Sequence, residues 1–338
     1  MKLLFILFLI CFNSLAQEGK IIENKITHFS LQEELDIIDF IVIETVFNKT
    51  KPIFLFCQGS LPVPLIIDFE KGSPFIYGGG ISNFDVEKIK EHYHLVVISM
   101  PETPLRVKRS NLNNQYAYVT DSADENSYKE SFLKADYLEN YVNRANAVLN
   151  FLLKQSWVEK TKLVVAGHSQ GARVATKLVV DNINVTHLGL FGFNPFGRIE
   201  QMIRQERKDA EIGKKTWEEA EEGIAYWEQL WSDANNEDSV KSNPNLIAWK
   251  SFSQPQVNDL LKIDIPTYIC YGTKDIIADH CDLLPILYTS AQKDNLTLTR
   301  KYGLQHNFFE LNEEGRADYN KGHWIEVMND FVKWTLEK

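Results

Sequence analysis

The chain has few cysteines, four in 338 residues, and lacks the Cys-x-x-Cys spacing of many metal and redox sites. Cys11 lies in an N-terminal segment that we expect to be removed, which leaves an odd number in a long chain. This pattern argues against a disulfide-bonded scaffold. Cys57 and Cys270 lie in apolar, strand-like runs and are expected to be buried as small hydrophobic side chains. The sequence leaves a disulfide between Cys270 and Cys281 open.

Beyond its N-terminus the chain also lacks an apolar run of the about 20 residues that cross a bilayer, so we expect no membrane span. Basic residues are in deficit as well. There are 36 Lys and Arg against 46 Asp and Glu, a formal net charge of −10 at pH 7. This acidity argues against nucleic acid or an anionic lipid surface as a partner, although it does not identify a substrate.

The N-terminus has the layout of a cleavable secretory signal. A positive Met1-Lys2 is followed by the apolar run Leu3–Phe12, and small residues, Ser14 and Ala16, stand where a signal peptidase reads. We therefore expect a signal peptide at residues 1–16, cleavage after Ala16, and a secreted or periplasmic mature protein.

Two other interpretations of this N-terminus are less favoured. Lipidation at Cys11 is disfavoured because the preceding residue is normally small and Ile10 is not. The segment could also be an uncleaved apolar strand. The mature chain, residues 17–338, has the length of a single α/β domain that carries an insertion.

Short apolar runs alternate with longer helical patterns along the chain. Several runs are apolar at every position, as in Leu95–Ile98, which is typical of strands buried on both faces of a parallel sheet. The alternation predicts an α/β fold with a doubly wound, mostly parallel sheet. The predicted strands are Ile37–Phe47, Pro52–Cys57, Leu95–Met100, Leu163–Ala166, Leu188–Phe193, Thr267–Tyr271 and Leu296–Lys301, and the predicted helices are Tyr137–Lys154, Ala172–Val180 and Trp324–Leu336.

Two segments interrupt this alternation. Residues 102–135 are polar and irregular and predict a long surface excursion. Residues 196–262 favour helix, and we interpret them as a helical cap inserted between two strands, with a helical pair packed outside the sheet as the alternative. Several aromatic residues lie in this segment, and their role, in a pocket wall or in the core, is left open: Trp217, Tyr226, Trp227, Trp231 and Trp249.

The most informative motif is Gly167-His168-Ser169-Gln170-Gly171, where a buried strand runs into a helix. A strand-to-helix turn this tight holds the serine in a strained conformation, and side chains at the flanking glycines would collide with neighbouring elements. The turn raises the hydroxyl above the sheet edge beside a helix N-terminus, where negative charge is stabilised. The motif therefore predicts Ser169 as a nucleophile.

A serine nucleophile needs a base that is oriented by a carboxylate, in the chain order serine, acid, histidine. A later strand ends in Gly272-Thr273-Lys274-Asp275, and His306 follows the next helix and strand. We expect Asp275 as the acid and His306 as the base. Asp279 and Asp282 are rival acids, but both lie in the following helix and fit a solvated helix face better.

His323 is the rival base, although no strand end delivers it to the site because it stands directly before the C-terminal helix. His168 precedes the nucleophile and is expected to pack elsewhere. We expect no metal site, because His92 and His94 lack a third ligand at useful spacing. The adjacent residues Asp279–Asp282 point in different directions on a helix.

Acyl transfer also needs donors for the tetrahedral oxyanion. The turn supplies the backbone N–H of Gln170. The second donor is expected from the loop after the strand Pro52–Cys57, where Gly59 allows close backbone approach and the N–H of Ser60 is the candidate.

Together, the Gly167–Gly171 turn, the acid at Asp275 and the base at His306 resemble the α/β-hydrolase superfamily, from about residue 37 to the end. The resemblance is to secreted bacterial hydrolases of the dienelactone-hydrolase, acyl-thioesterase or prolyl-oligopeptidase catalytic-domain type. Many relatives carry His-Gly where this chain has Gln58-Gly59, a tolerable departure because the backbone is the donor. The resemblance implies an acyl-serine intermediate, a small-molecule acyl substrate and no cofactor.

Three functions remain open on the sequence. We expect an ester or thioester hydrolase. A serine peptidase acting on small peptides is the first alternative, because the same fold and triad also cleave amides. The second is a catalytically inactive hydrolase fold used for binding, which the presence of Ser169, Asp275 and His306 disfavours.

Overall fold

The computed structural model describes residues 19–33, 36–76 and 78–338. The expected signal peptide, its cleavage site and Cys11 lie outside these residues. The strands are β1 Lys20–Ile22, β2 Ile26–Glu33, β3 Asp36–Val42, β4 Lys51–Cys57, β5 Ile66–Asp68, β6 His94–Ile98, β7 Arg106–Lys108, β8 Val158–His168, β9 His187–Phe191, β10 Thr267–Gly272, β11 Leu296–Lys301, β12 Phe309–Leu311 and β13 Ala317–Gly322.

Helices connect most of the long strands. They are α1 Val86–Lys90, α2 Glu130–Ala135, α3 Leu138–Leu152, α4 Gln170–Asp181, α5 Arg198–Glu211, α6 Trp217–Ala234, α7 Glu237–Ser242, α8 Asn245–Ser251, α9 Val257–Lys262, α10 Ala278–Ser290 and α11 Trp324–Glu337, with short 3₁₀ turns at Ile81–Asn83 and Arg109–Asn111.

A nine-stranded sheet with the order β1-β2-β3-β6-β4-β8-β9-β10-β11 is the centre of the molecule. Strands β6, β4, β8, β9, β10 and β11 run parallel, whereas β1, β2 and β3 form an antiparallel edge that joins β6. The predicted α/β class with a mostly parallel sheet is confirmed. The pairs β5–β7 and β12–β13 lie outside this sheet.

Helices cover both faces of the sheet, as the apolar strands require. On one face, α3, α4 and α10 pack over side chains such as Leu55 and Val165. On the other, α1 and α11 pack over Phe54 and Val164, which are the intervening residues of the same strands. Successive strand residues point to opposite faces, so each parallel strand contributes to both cores.

The antiparallel edge differs from the sequence prediction. The predicted strand Ile37–Phe47 ends at Val42, because the backbone turns there and the N–H of Glu44 donates to the Val42 carbonyl oxygen at 2.8 Å. Strand β2 was not predicted, because its polar and apolar residues alternate irregularly and it has no continuous apolar run.

The segment 102–135 corrects the expectation of a surface excursion. It is largely irregular, yet Val107, Leu112 and Phe132 are buried. Asn113 is fully buried, and its side-chain oxygen accepts the backbone N–H groups of Gln115 and Ala117 at 2.9 and 3.0 Å. A polar side chain thus organises the loop from inside, because buried backbone N–H groups need acceptors.

Residues 198–262 form five helices, α5 to α9, between the adjacent strands β9 and β10. Ala248 of α8 and Leu260 of α9 belong to the main core. Helices α5 and α6 pack on each other further out, and Trp217 and Tyr226 of α6 are exposed. Helices α8 and α9 of this insertion therefore extend the main core, while α5 and α6 pack mainly on each other.

Candidate active site

Ser169 occupies the one-residue turn between β8 and α4 with φ 56° and ψ −118°, a conformation that side chains rarely adopt. The two glycines around it make this turn possible. A Cβ at Gly167 would lie 2.1 Å from the carbonyl oxygen of Gly171, and one at Gly171 would lie 2.0 Å from that of Cys57. Contacts this short with backbone atoms exclude any larger residue without rearrangement.

Three side chains from distant parts of the sequence form a hydrogen-bonded line. The Ser169 hydroxyl lies 3.0 Å from Nε2 of His306, and Nδ1 of His306 lies 2.7 Å from a carboxylate oxygen of Asp275. The Asp275 side chain is inaccessible to solvent, and its other oxygen accepts the backbone N–H of Ile277 at 3.3 Å. The structure thus brings together the three residues that the sequence singled out.

The charge of Asp275 shapes the protonation of His306. Burial opposes the charged imidazole, but the carboxylate charge and its hydrogen bond outweigh this, so the pKa of His306 is raised above its usual 6.5. His168 differs, because burial and the nearby His306 lower its pKa to about 3. Its Nε2 donates to the His306 carbonyl oxygen at 3.0 Å, and its ring packs edge-on against Trp324.

The rival residues lie in other surroundings. His323, at the start of α11, is within 3.2 Å of Glu310 and 3.5 Å of Glu326. Asp279 pairs with Arg204 at 3.2 Å. Asp282 lies 2.7 Å from Arg300 and accepts a hydrogen bond from Tyr271. None of these three rivals contacts Ser169 or His306 in the described structure.

Ser60 and Gln170, the candidate oxyanion donors, line the same cavity as Ser169. Gln170 is the first residue of α4, where backbone N–H groups have no partner inside the helix. Gly59 lines the neighbouring cavity, and a Cβ there would meet no protein atom within 4 Å.

Ser169 borders two cavities. The first, about 390 Å³, extends under the inserted helices and is lined by Gln170, Arg198 and Trp249 among others. The second, about 690 Å³, is lined by His306 and by a set of aromatic side chains, Phe56, Phe84, Tyr116, Phe309, Tyr319 and Trp324. The Ser169 hydroxyl therefore stands between a cavity of mixed polar and apolar lining and an aromatic one.

Solved structures share this architecture over nearly the whole chain. A thioesterase domain from the curacin biosynthetic pathway is 12% identical, with 93% of this chain and 99% of that one aligned at a TM-score of 0.50. A cold-adapted esterase from an Arctic intertidal metagenomic library is 9% identical, with 93% and 96% aligned at 0.50. The chain has the α/β-hydrolase fold.

A longer protein shows the same fold in one part of its length. A Bacteroides ovatus protein assigned as a dipeptidyl aminopeptidase IV is 12% identical, at a TM-score of 0.54, with 91% of this chain but only 35% of that one aligned. No protein-family model matches the chain, and no curated protein matches its sequence. At these identities the comparisons establish the α/β-hydrolase fold, and the chemistry has to be argued from the site.

The sequence did not reveal a chain of buried polar residues beside Ser169. Gln170 donates from its side-chain nitrogen to Asp136 at 3.1 Å and accepts a hydrogen bond from Arg198 on its side-chain oxygen. Asp136 also accepts from the Tyr141 hydroxyl at 2.8 Å. Burial raises the pKa of Asp136, although Arg198 and the two donors oppose it. No local pattern marks these residues, because the fold alone brings them together.

The described residues include three of the four cysteines and bear on the predictions about disulfides, metal sites and membrane spans. Cys57, Cys270 and Cys281 are free thiols, and the Cys281 sulfur donates to the Phe193 carbonyl oxygen at 3.3 Å. Within the described ranges, no group of three or more His, Cys, Asp and Glu residues is placed to hold a metal ion. In the same ranges, none of the helices is long and apolar enough to cross a membrane.

Proposed function

We propose that the protein is a serine hydrolase that cleaves an ester or thioester through an acyl-serine intermediate. The observation that carries this proposal is the hydrogen-bonded line of Ser169, His306 and Asp275, with the serine on a strained strand-to-helix turn. A hydroxyl is a weak nucleophile by itself, and a neutral imidazole at 3.0 Å is within reach to accept its proton.

In the proposed reaction, Nε2 of His306 takes the Ser169 proton as the oxygen attacks the substrate carbonyl carbon. Asp275 accepts from Nδ1–H, which fixes the tautomer that leaves Nε2 free and stabilises the imidazolium that forms. The oxyanion is bound by the backbone N–H groups of Gln170 and Ser60. His306 then returns the proton to the leaving oxygen or sulfur as the acyl bond breaks.

Deacylation repeats the same steps with water as the nucleophile. His306 removes a proton from a water molecule, the water oxygen attacks the acyl carbon, and the proton passes back to Ser169 as the acid is released. The reaction needs no cofactor, because water supplies the hydroxyl group that the acyl carbon gains and the proton that the leaving group gains.

A panel of 4-nitrophenyl esters of increasing acyl length, assayed beside aminoacyl and prolyl 4-nitroanilides, tests this proposal. We expect turnover of esters that is lost in Ser169→Ala. Hydrolysis of the anilides alone would show that the protein is a peptidase and would overturn the ester assignment. Turnover that persists in Ser169→Ala would place the chemistry on another residue.

We also propose that the reaction takes place outside the cytoplasm. The support is the sequence of residues 1–16, with a positive start, an apolar run and small residues before Gln17. Expression of the full chain in a bacterium, followed by cell fractionation and intact-mass measurement, should give an extracytoplasmic protein that begins at Gln17. A cytoplasmic protein that retains Lys2 would contradict this.

A further inference from the structure

The position of His306 distinguishes the two cavities beside Ser169. In serine hydrolysis the histidine gives its proton to the leaving group, so the leaving group departs on the side of the imidazole. His306 lines the aromatic cavity and does not line the cavity under the inserted helices, whereas Ser169 lines both. The cavity under the inserted helices is therefore the one that receives the acyl group.

The acyl cavity carries positive charge in an acidic protein. The lining residues with charged side chains are Asp136, Arg173 and Arg198, which sum to +1 when all three are charged. The chain as a whole has a net charge of −10. Because charges in a recessed, partly desolvated space act more strongly than surface charges, this local excess favours an anionic group.

Arg173 holds the cavity wall together. Its guanidinium donates to the Asn194 carbonyl oxygen at 2.7 Å and also to the Gln254 carbonyl oxygen. Burial and the charge of Arg198 lower its pKa to about 9. These contacts tie α4 to the loop before the insertion and to the loop between α8 and α9 within it, so we assign Arg173 a structural part.

Arg198, unlike Arg173, contacts aromatic rings and a side-chain amide. Its guanidinium stacks 5.3 Å from the ring centroids of Trp249 and Phe252, and its side chain donates to Gln170. Asp136 is linked to Arg198 through Gln170, whose side chain donates to Asp136 at 3.1 Å and accepts from Arg198. Burial lowers the pKa of Arg198, and Asp136 opposes that effect.

A guanidinium has five N–H donors and cannot lose its charge under ordinary conditions. In the described part of the chain, the Arg198 side chain donates to one neutral amide oxygen, that of Gln170, so most of its donors stay available to a ligand in a cavity that Ser169 also lines. A half-buried guanidinium beside a recessed cavity favours an anionic ligand, and the planar fork of arginine matches the two oxygens of a carboxylate.

We propose that Arg198 binds a carboxylate at the far end of the acyl group, so that the substrate is a half-ester or half-thioester of a dicarboxylic acid. This inference rests on the proposed ester hydrolysis at Ser169. The aromatic cavity then takes an apolar alcohol or thiol as the leaving group. Arg198 is a specificity residue that touches the substrate away from the reacting atoms.

The test compares three matched esters with the same leaving group. These are the 4-nitrophenyl esters of succinic acid (anionic), butyric acid (neutral) and 4-aminobutyric acid (cationic). We expect wild-type kcat/KM to be at least about tenfold higher for the anionic ester than for the neutral one, since a charge-assisted hydrogen bond distinguishes them. The cationic ester should be the poorest.

Four variants separate a carboxylate contact from a general effect on the fold. Arg198→Gln should lower the anionic-to-neutral ratio of kcat/KM by about ten- to a hundredfold, and Arg198→Lys should keep part of it. Asp136→Asn should raise the ratio, because it removes the opposing charge while its amide oxygen can still accept from Tyr141 and Gln170. Arg207→Gln, on an exposed face of α5, should leave the ratio unchanged.

The outcomes distinguish this inference from the proposed function. If the neutral ester is hydrolysed as well as the anionic one, or the ratio survives Arg198→Gln, the carboxylate contact is wrong while ester hydrolysis stands. If Arg207→Gln lowers the ratio as much as Arg198→Gln, the preference is a surface effect and the inference also fails. If wild type hydrolyses none of the three, the proposed function fails and the inference fails with it.

Discussion

The Ser169 hydroxyl oxygen lies 3.0 Å from Nε2 of His306, although the two residues are 137 positions apart in the chain. The contact forms because β8 and β11 belong to the parallel part of one sheet, where both deliver their following loops to the same edge. Ligand and catalytic groups of open α/β sheets collect at the carboxyl ends of the strands. The proposed chemistry depends on this pair.

Removal of either member of the pair should abolish turnover. In Ser169→Ala and in His306→Ala we expect kcat for a 4-nitrophenyl ester to fall by about 10⁴- to 10⁶-fold, and the double variant should be no worse than either single one, because the residues act as a unit. His323→Ala is the control, since His323 contacts Glu310 and Glu326 instead. Retained activity in His306→Ala with loss in His323→Ala would show that the base has been misassigned.

The pH dependence should report the protonation of His306. The imidazole must be neutral to accept the Ser169 proton, so kcat/KM should rise with pH through the His306 pKa, which Asp275 raises above 6.5. His168, whose pKa is about 3, stays neutral throughout that range.

Asp275→Asn should move this rise in kcat/KM to lower pH, because it removes the charge that raises the pKa of His306 and leaves the burial that lowers it. It should also reduce kcat by about 10⁴-fold, since an amide can hold the wrong imidazole tautomer. A pH profile that does not move in Asp275→Asn would mean that the ionisation belongs to another group.

A glycine of the Ser169 turn should tolerate substitution by alanine much less well than a glycine in open space. Gly171→Ala places a Cβ 2.0 Å from the Cys57 carbonyl oxygen, so we expect a loss of about 1–3 kcal/mol or more in the free energy of unfolding. Gly59→Ala meets nothing within 4 Å and should have the same melting temperature as wild type. Equal melting temperatures for wild type and Gly171→Ala would show that the turn is not as tight as described.

The thiols of the folded protein should be unreactive. Burial raises the pKa of both Cys57 and Cys270 to about 12, and it raises that of Cys281 as well. A chain of residues 17–338 should react slowly with Ellman's reagent at pH 8 and should release three thiol equivalents once denatured without reductant. One equivalent instead of three would indicate a disulfide, with Cys270–Cys281 as the first pair to examine.

The sequence predicted the parts of the fold that depend on local pattern. Continuous apolar runs identified the parallel strands, and the Gly-x-Ser-x-Gly turn identified the strand-to-helix boundary at Ser169. The order of acid and histidine then pointed to Asp275 and His306, which the structure places in contact. Short-range patterns carry these features because each strand, turn and helix has its own periodicity.

The rest depended on tertiary contacts. Asp136 lies between two helices and Arg198 opens a third, and neither stands in a motif; they meet only because Gln170 lies between them. The buried Asn113 likewise looks like any polar loop residue until the loop has closed around it. The roles of these residues become visible only from contacts with residues that the fold brings close to them.

The central claim, that Ser169 is an activated nucleophile, is tested most directly by labelling with a fluorophosphonate probe and locating the adduct by peptide mass spectrometry. Reaction requires a serine whose proton is accepted by a neighbouring base, as His306 is placed to do at 3.0 Å. We predict a single adduct on Ser169 in wild type, a strongly reduced rate in His306→Ala and none in Ser169→Ala. A folded wild-type protein that does not label, or labels at another residue, would contradict this account and favour an inactive hydrolase fold or a different site.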